Sequence, residues 1–353
     1  MKKIILTGGG TAGHVTPNIA LLPQLKSMGY EISYIGSYNG MEKELIEAQN
    51  IPYYGISTGK FRRYFDIKNF TDPFRVIKGY FEAKKLLKEI KPDLLFSKGG
   101  FVTVPVVRAA AALKIPCIIH ESDMTPGLAN RICIPVAKKV CCNFPETLQF
   151  IPGNKAVLTG TPIRQELFLG DKEEGFRFCG LKEDKPVILI MGGSLGAASV
   201  NQIVRSALPE LLSDFYIVHL CGKGKKDISL VNTNGYLQYE YITDELKDLL
   251  AIADLVISRA GANAICELLA LQKPNLLIPL TSKSSRGDQL LNARSFESQG
   301  YSIVLEEDSL SIERFVSEIH QLYRNRNHFI EVMKNSTQTD SASIILSLIQ
   351  DLS

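Results

Sequence analysis

Short, wholly apolar runs alternate along the chain with stretches of helical spacing. Apolar runs at residues 3–7, 32–35, 94–97, 116–119, 156–158, 187–191, 254–258 and 274–278 read as buried strands. Between them, apolar positions three and four apart predict helices over residues 19–28, 81–90, 109–113, 200–212 and 264–271. Continuous apolar strands separated by helices predict parallel sheets covered by helices on both faces. The tail from about Asp340 shows helical spacing at Ile344, Ile345, Leu348, Ile349 and Leu352, with Asp340 or Ser341 as N-cap, and either half of the chain could receive it.

The pattern occurs twice. Lys3-Ile4-Ile5-Leu6-Thr7 runs into Gly8-Gly9-Gly10-Thr11-Ala12-Gly13, and Val187-Ile188-Leu189-Ile190-Met191 runs into Gly192-Gly193-Ser194-Leu195-Gly196. Later in each half, Asp93-Leu94-Leu95-Phe96-Ser97-Lys98-Gly99-Gly100 mirrors Asp254-Leu255-Val256-Ile257-Ser258-Arg259-Ala260-Gly261, each followed by a Pro-led strand. The expectation is α/β, with two doubly wound parallel-sheet domains facing each other across a cleft, one over residues 1–163 and one over 164–339, the helix at 340–353 completing the first.

Composition narrows the class. The 353 residues are 45% hydrophobic and 22% charged, far from a disordered composition. Seven cysteines without any C-x-x-C spacing suit neither a disulfide framework nor a zinc site and read as buried thiols in a reducing cytosol. The most apolar stretch, residues 101–120, is broken by Arg108, Lys114 and two prolines, and so does not read as a membrane span. A net charge of +3 with no recognised binding motif argues against nucleic acid.

Candidate chemistry sits in the glycine loops. Gly8-x-Gly10-x-x-Gly13 after a strand matches the dinucleotide fingerprint, but the second strand ends in Gly36-Ser37-Tyr38, with no carboxylate to hold a ribose. What remains is backbone N–H groups and a helix N-terminus facing an anion, a phosphate or pyrophosphate, once in each half. The chain lacks a P-loop Lys and an Asp-x-Asp pair, so the charge on a leaving diphosphate falls to a helix dipole; no motif requires a metal or other cofactor, though a divalent ion remains compatible.

Gly8-Gly9-Gly10-Thr11-Ala12-Gly13-His14, Lys98-Gly99-Gly100-Phe101-Val102, His120-Glu121, Gly160-Thr161-Pro162-Ile163-Arg164, Gly192-Gly193-Ser194-Leu195-Gly196-Ala197 and Ser258-Arg259-Ala260-Gly261-Ala262 resemble the bacterial lipid I N-acetylglucosaminyltransferases of glycosyltransferase family 28, in order and over nearly the whole chain. The resemblance implies a GT-B fold of two Rossmann-like domains. It implies inverting transfer of N-acetylglucosamine from UDP-N-acetylglucosamine to the C4 hydroxyl of lipid I, giving lipid II at the cytoplasmic face of the cell membrane. Another lipid acceptor such as diacylglycerol, or a nucleotide-sugar-binding module without catalysis, are the alternatives. Carried over by position, Thr11, Ala12 and Gly13 would face the acceptor pyrophosphate. Gly193, Ser194, Ala262, Asn263 and Ala264 would hold the donor diphosphate, Arg164 and the backbone of Ile242 the uracil, Glu267 the ribose diol, and Gln289 the sugar hydroxyls. His14 is the leading candidate for the base, with Glu121 and Asp123 as the others.

The chain departs from the common family pattern at Ala12, at Ala264, and at Ser122-Asp123, where many members have Gln-Asn. From Lys60 to Lys91, ten basic and four acidic residues give +6, interleaved with Phe61, Tyr64, Phe65, Phe70, Phe74, Tyr80 and Phe81. Such a segment is suited to dock on an anionic membrane surface, and its alternative is a solvated helix with aromatics in the core.

Overall fold

A computed structural model describes residues 1–59, 68–193, 196–281 and 287–353. It divides into two units, Met1–Arg164 with Asp340–Ser353, and Gln165–Thr339.

The first unit holds seven strands: β1 (Lys3–Thr7), β2 (Glu31–Ser37), β3 (Tyr53–Ile56), β4 (Leu94–Ser97), β5 (Cys117–Glu121), β6 (Lys139–Cys142) and β7 (Ala156–Leu158). All pair in parallel in the order β3-β2-β1-β4-β5-β6-β7, with Ile4 opposite Ile32 on one side and Leu94 on the other. Side chains alternate between faces. Ile4 and Leu6 join a core with Leu21, Phe96 and Ile118, while Ile5 joins another with Leu95, Val106 and Ile119. Both faces are therefore apolar, which is why these strands read as unbroken hydrophobic runs. The C-terminal helix Ser341–Leu352 places Ala342, Ile345, Leu346 and Ile349 in the first of these cores, so the tail belongs to the N-terminal sheet. Asp340 stands at its N-cap position but makes no capping bond.

The second unit holds six strands: β8 (Val187–Met191), β9 (Tyr216–Leu220), β10 (Tyr236–Tyr239), β11 (Ala253–Ser258), β12 (Asn275–Leu277) and β13 (Ser302–Val304). They run parallel in the order β10-β9-β8-β11-β12-β13. In each sheet the winding reverses once, between β1 and β4 and between β8 and β11. Ligands bind in parallel sheets beyond the carboxyl ends of the strands at such a reversal, and the two repeated glycine segments follow those four strands.

The predicted helices all form with shifted ends. The helix expected over residues 81–90 is Lys68–Ile90, accommodating Pro73 near its start. All seven cysteines are buried and none is in a disulfide, and burial pushes the thiols of Cys117, Cys133, Cys141 and Cys142 up to about 12.

Candidate active site

In the first unit, β1 ends at Thr7 and the chain turns through residues 8–11 into a short 3-10 turn, Ala12–His14, that leads into the helix Thr16–Ser27. Thr11 and Ala12 are exposed, and Gly13 and His14 are half-buried. The segment after β4 packs directly on this loop: a Cβ on Gly100 would stand 2.2 Å from the carbonyl oxygen of Gly9, and its φ of +90° lies in the left-handed region. Only glycine meets both conditions.

His14 Nδ1 lies 2.8 Å from Thr11 Oγ1. Burial first, and the Lys98 ammonium second, push the imidazole down to about 4, against a smaller opposing pull from Glu42. At neutral pH it is uncharged and able to accept a proton.

Glu121, at the end of β5, is 3% exposed. Its carboxylate accepts from the backbone N–H of Asp123 at 3.0 Å, the N–H of Gly127 at 3.0 Å and Asn130 Nδ2 at 2.8 Å. Burial raises its pKa to about 7, with these donors pulling the other way. Both oxygens thus fasten the turn after β5. Asp123, two residues on, is half-buried, and its carbonyl accepts from Thr147 Oγ1.

Motif spacing did not single out three further groups here. Glu42 is wholly buried beside Gly9, accepting from the Ser37 N–H at 3.0 Å and the Gly10 N–H at 3.4 Å. A carboxylate thus stands five residues beyond the end of β2, buried against the loop. Lys98, 1% exposed, donates from Nζ to His120 Nδ1 at 3.0 Å and to Ser122 Oγ. His120 Nε2 faces the Gly160 carbonyl at 2.8 Å; a carbonyl only accepts, so Nε2 carries the proton and Nδ1 the lone pair. Burial and the Lys98 charge hold His120 neutral, well below the usual imidazole range.

In the second unit, Gly193 follows β8 with φ +81°, and Ser194 lies outside the described residues. Gly196, φ +66°, closes against β9: a Cβ there would meet the Cys221 carbonyl oxygen at 2.1 Å. After β11, the helix Ala262–Ala270 starts from Gly261 with no side-chain cap. Its first-turn N–H groups, at Ala262, Asn263 and Ala264, point out of an end carrying the positive pole of the helix. Glu267 is three residues beyond Ala264 and four beyond Asn263, on the same face. Gln289 Oε1 accepts the Leu280 N–H at 3.1 Å, which orients its amide. Ile242 lies in the loop after β10, and Arg164, half-buried, ends the first segment of the first unit, Met1–Arg164.

Arg259, also missed by spacing, ties this end of the sheet together. It donates to the carbonyls of Ile278 and Pro279, to Ser199 Oγ at 3.0 Å and to Glu307 Oε1 at 2.9 Å. Burial works against the Glu307 charge, but the bonds from Arg259 and Ser199 outweigh it and hold the carboxyl below its ordinary value. Among the described residues no group of three or more His, Cys, Asp or Glu is placed to hold a metal ion.

Part of the basic aromatic segment, residues 60–67, lies outside the described residues, including Phe61, Tyr64 and Phe65. On the helix Lys68–Ile90, Phe74, Ile77 and Phe81 form one face at i, i+3 and i+7 and are 73%, 55% and 63% exposed. Gly79, Ala83 and Leu87 are buried on the other face. Phe74 and Phe81 are thus not core residues. Ile77, Tyr80, Phe81, Val104, Pro105 and Arg108 line a groove of about 600 Å³ against the helix Thr103–Ala112. No helix among the described residues is long and apolar enough to cross a membrane.

Two parallel sheets, each with a glycine loop at its reversal and the second with an uncapped helix N-terminus, are the two Rossmann-like domains of the GT-B glycosyltransferase fold. The chain belongs to glycosyltransferase family 28: the family's N-terminal domain matches residues 4–142 and its C-terminal domain residues 187–348. A relative from Lachnoclostridium phytofermentans, named UDP-N-acetylglucosamine--N-acetylmuramyl-(pentapeptide) pyrophosphoryl-undecaprenol N-acetylglucosamine transferase, is 64% identical over 352 residues, covering 100% of this chain and 99% of that protein. One of the same name from Clostridium botulinum strain Hall is 59% identical, with 99% of each chain covered. The crystal structure of Acinetobacter baumannii MurG superposes with a TM-score of 0.80 at 28% identity, covering 99% of this chain and 100% of that one.

Proposed function

We propose that this protein transfers N-acetylglucosamine, with inversion, from UDP-N-acetylglucosamine to the C4 hydroxyl of the N-acetylmuramic acid of lipid I, giving lipid II and UDP. The observation that carries the reading is end-to-end similarity, 64% over the full chain, to a protein named for that reaction, with both glycine loops in place.

The second unit takes the donor. The first turn of the helix at Ala262, Asn263 and Ala264, with the loop at Gly193 and Ser194, holds the diphosphate, and the helix dipole stabilises the charge that develops on UDP as the sugar leaves. Glu267, one turn on, accepts from the ribose diol. Arg164 and the Ile242 backbone hold the uracil, and Gln289, oriented by Leu280, reads the sugar hydroxyls.

The first unit takes the acceptor, with Thr11, Ala12 and Gly13 at its pyrophosphate. His14 removes the proton from the C4 hydroxyl as that oxygen attacks the anomeric carbon and the bond to the UDP oxygen breaks. His14 is preferred over Glu121 because both Glu121 oxygens hold the turn after β5, whereas His14 is half-buried, neutral at pH 7 and held through one ring nitrogen. Asp123 contacts the acceptor.

The exposed face of Phe74, Ile77 and Phe81, flanked by Arg75, Lys78, Lys84 and Lys85, seats the protein on the anionic cytoplasmic surface of the membrane, where lipid I resides. The test is product analysis with a short-chain lipid I analogue. The expected product carries one added β-linked N-acetylglucosamine. Transfer to diacylglycerol instead, or UDP-sugar binding without any product, contradicts the reading.

A further inference from the structure

Ser122 directly follows β5, one strand out from the reversal of the first sheet, and is half-buried. Its backbone is fixed: Asn143 Nδ2 donates to the Ser122 carbonyl at 3.0 Å, and Thr161 Oγ1 holds Asn143 from behind at 2.7 Å. Its hydroxyl is constrained as well. Oγ accepts from Lys98 Nζ, and an ammonium only donates, so the hydroxyl's own proton has to be directed away from Lys98. Lys98 is held by His120 Nδ1, which the Nε2–H bond to Gly160 keeps as an acceptor. The chain of bonds from Gly160 through His120 and Lys98 thus ends on a hydroxyl whose proton is turned away from the cation and left for a ligand, polarised by the charge behind it.

We propose that Ser122 is a substrate-binding residue whose hydroxyl donates to a pyrophosphate oxygen of the acceptor, with Lys98 as the positioning residue that imposes this direction. The proposal rests on the reading of the first unit as the acceptor site.

Steady-state kinetics of Ser122→Ala, Ser122→Thr and Lys98→Met test it, with acceptor and donor varied separately. Losing a hydrogen bond to a charged group predicts an acceptor KM raised about 10- to 100-fold in Ser122→Ala. Donor KM and kcat stay within about twofold of wild type, the signature of lost ground-state binding. Ser122→Thr, which keeps the hydroxyl, restores the acceptor KM. Lys98→Met raises the acceptor KM and moves the acid limb set by His14 upward, but it adds little further to the acceptor KM in the Ser122→Ala background, because the group it orients is gone. If Lys98→Met does not fold, the Ser122 pair decides the matter. With an acceptor whose pyrophosphate is replaced by a neutral linker, wild type and Ser122→Ala become equal. A penalty that persists with that analogue places the hydroxyl on the sugar or peptide and overturns the proposal. An active wild type whose acceptor KM is unmoved by Ser122→Ala overturns the contact alone, whereas a wild type that uses no acceptor overturns the functional reading and the contact with it.

Discussion

Thr11 Oγ1 and His14 Nδ1 lie 2.8 Å apart across a single 3-10 turn, so the residue that orients the imidazole comes from the glycine loop itself. When Nδ1–H donates to Thr11, the lone pair falls on Nε2, the nitrogen available to take a proton from the acceptor. His14→Ala is therefore expected to lower kcat by about 10² to 10⁴, the usual range for loss of general base catalysis, with UDP affinity unchanged. Wild-type kcat in this variant, measured by UDP release, excludes His14 as the base.

The acid limb of the pH profile gives an independent check. A base works unprotonated, and His14 is held down to about 4, so acceptor kcat/KM should stay level from pH 8 to about 5.5 and fall only as the pH approaches 4. A limb centred near 6.5, the ordinary histidine value, contradicts the burial and Lys98 effect assigned to it.

Stability responds to acid through other histidines. His219, buried between Tyr236 and Asn201, has its pKa pushed down to about 3 by burial and then by Arg205. The unfolded chain takes up the proton near 6.5 and the folded one does not, so this residue costs roughly 1.4 kcal/mol of stability per pH unit below about 6.5. His120 acts in the same direction. Glu121 opposes both between about 7 and its unfolded value, because the folded state binds its proton more tightly. His219→Gln should lower Tm at pH 7.5 yet show a smaller further loss between pH 7.5 and 5 than wild type. An unchanged pH slope contradicts the assignment.

The apolar face of the helix Lys68–Ile90 makes no demand on the core. Replacing Phe74, Ile77 and Phe81 by Ser is expected to leave Tm and UDP binding unchanged while weakening binding to anionic vesicles by well over tenfold, since each side chain loses about 1.5–3 kcal/mol of burial on full insertion. Equal vesicle binding by the triple variant removes this helix from the membrane contact.

Most strands at the centre of each sheet were legible because both their faces are buried, so their sequences are unbroken apolar runs: residues 3–7 and 187–191 match β1 and β8, and the three apolar residues 156–158 also gave the edge strand β7, whereas the interior strands β6 and β9, interrupted by Lys139 and His219, were not read. The shorter β3, β10 and β13 at the sheet edges carry three or four residues each and leave no such signature. The start of the helix Lys68–Ile90 was obscured by Pro73. The glycine loops were legible for the reason that they function, needing glycine where backbones approach. Glu42 was not, because it meets Gly10 only after β2 has been laid beside β1, 32 residues on. Lys98 and Arg259 were quoted within motifs, but the burial that gives each its role comes from partners on other strands and helices: His120 for one, Ser199 and Glu307 for the other.

The most direct test of the whole account is UDP release from UDP-N-acetylglucosamine by the purified protein, with and without a short-chain lipid I analogue. The account predicts release that depends on the acceptor, is lost in His14→Ala at unchanged UDP affinity, and shows a raised donor KM in Glu267→Ala. Tight UDP binding with no acceptor-dependent release, or equal release with and without the acceptor, contradicts it.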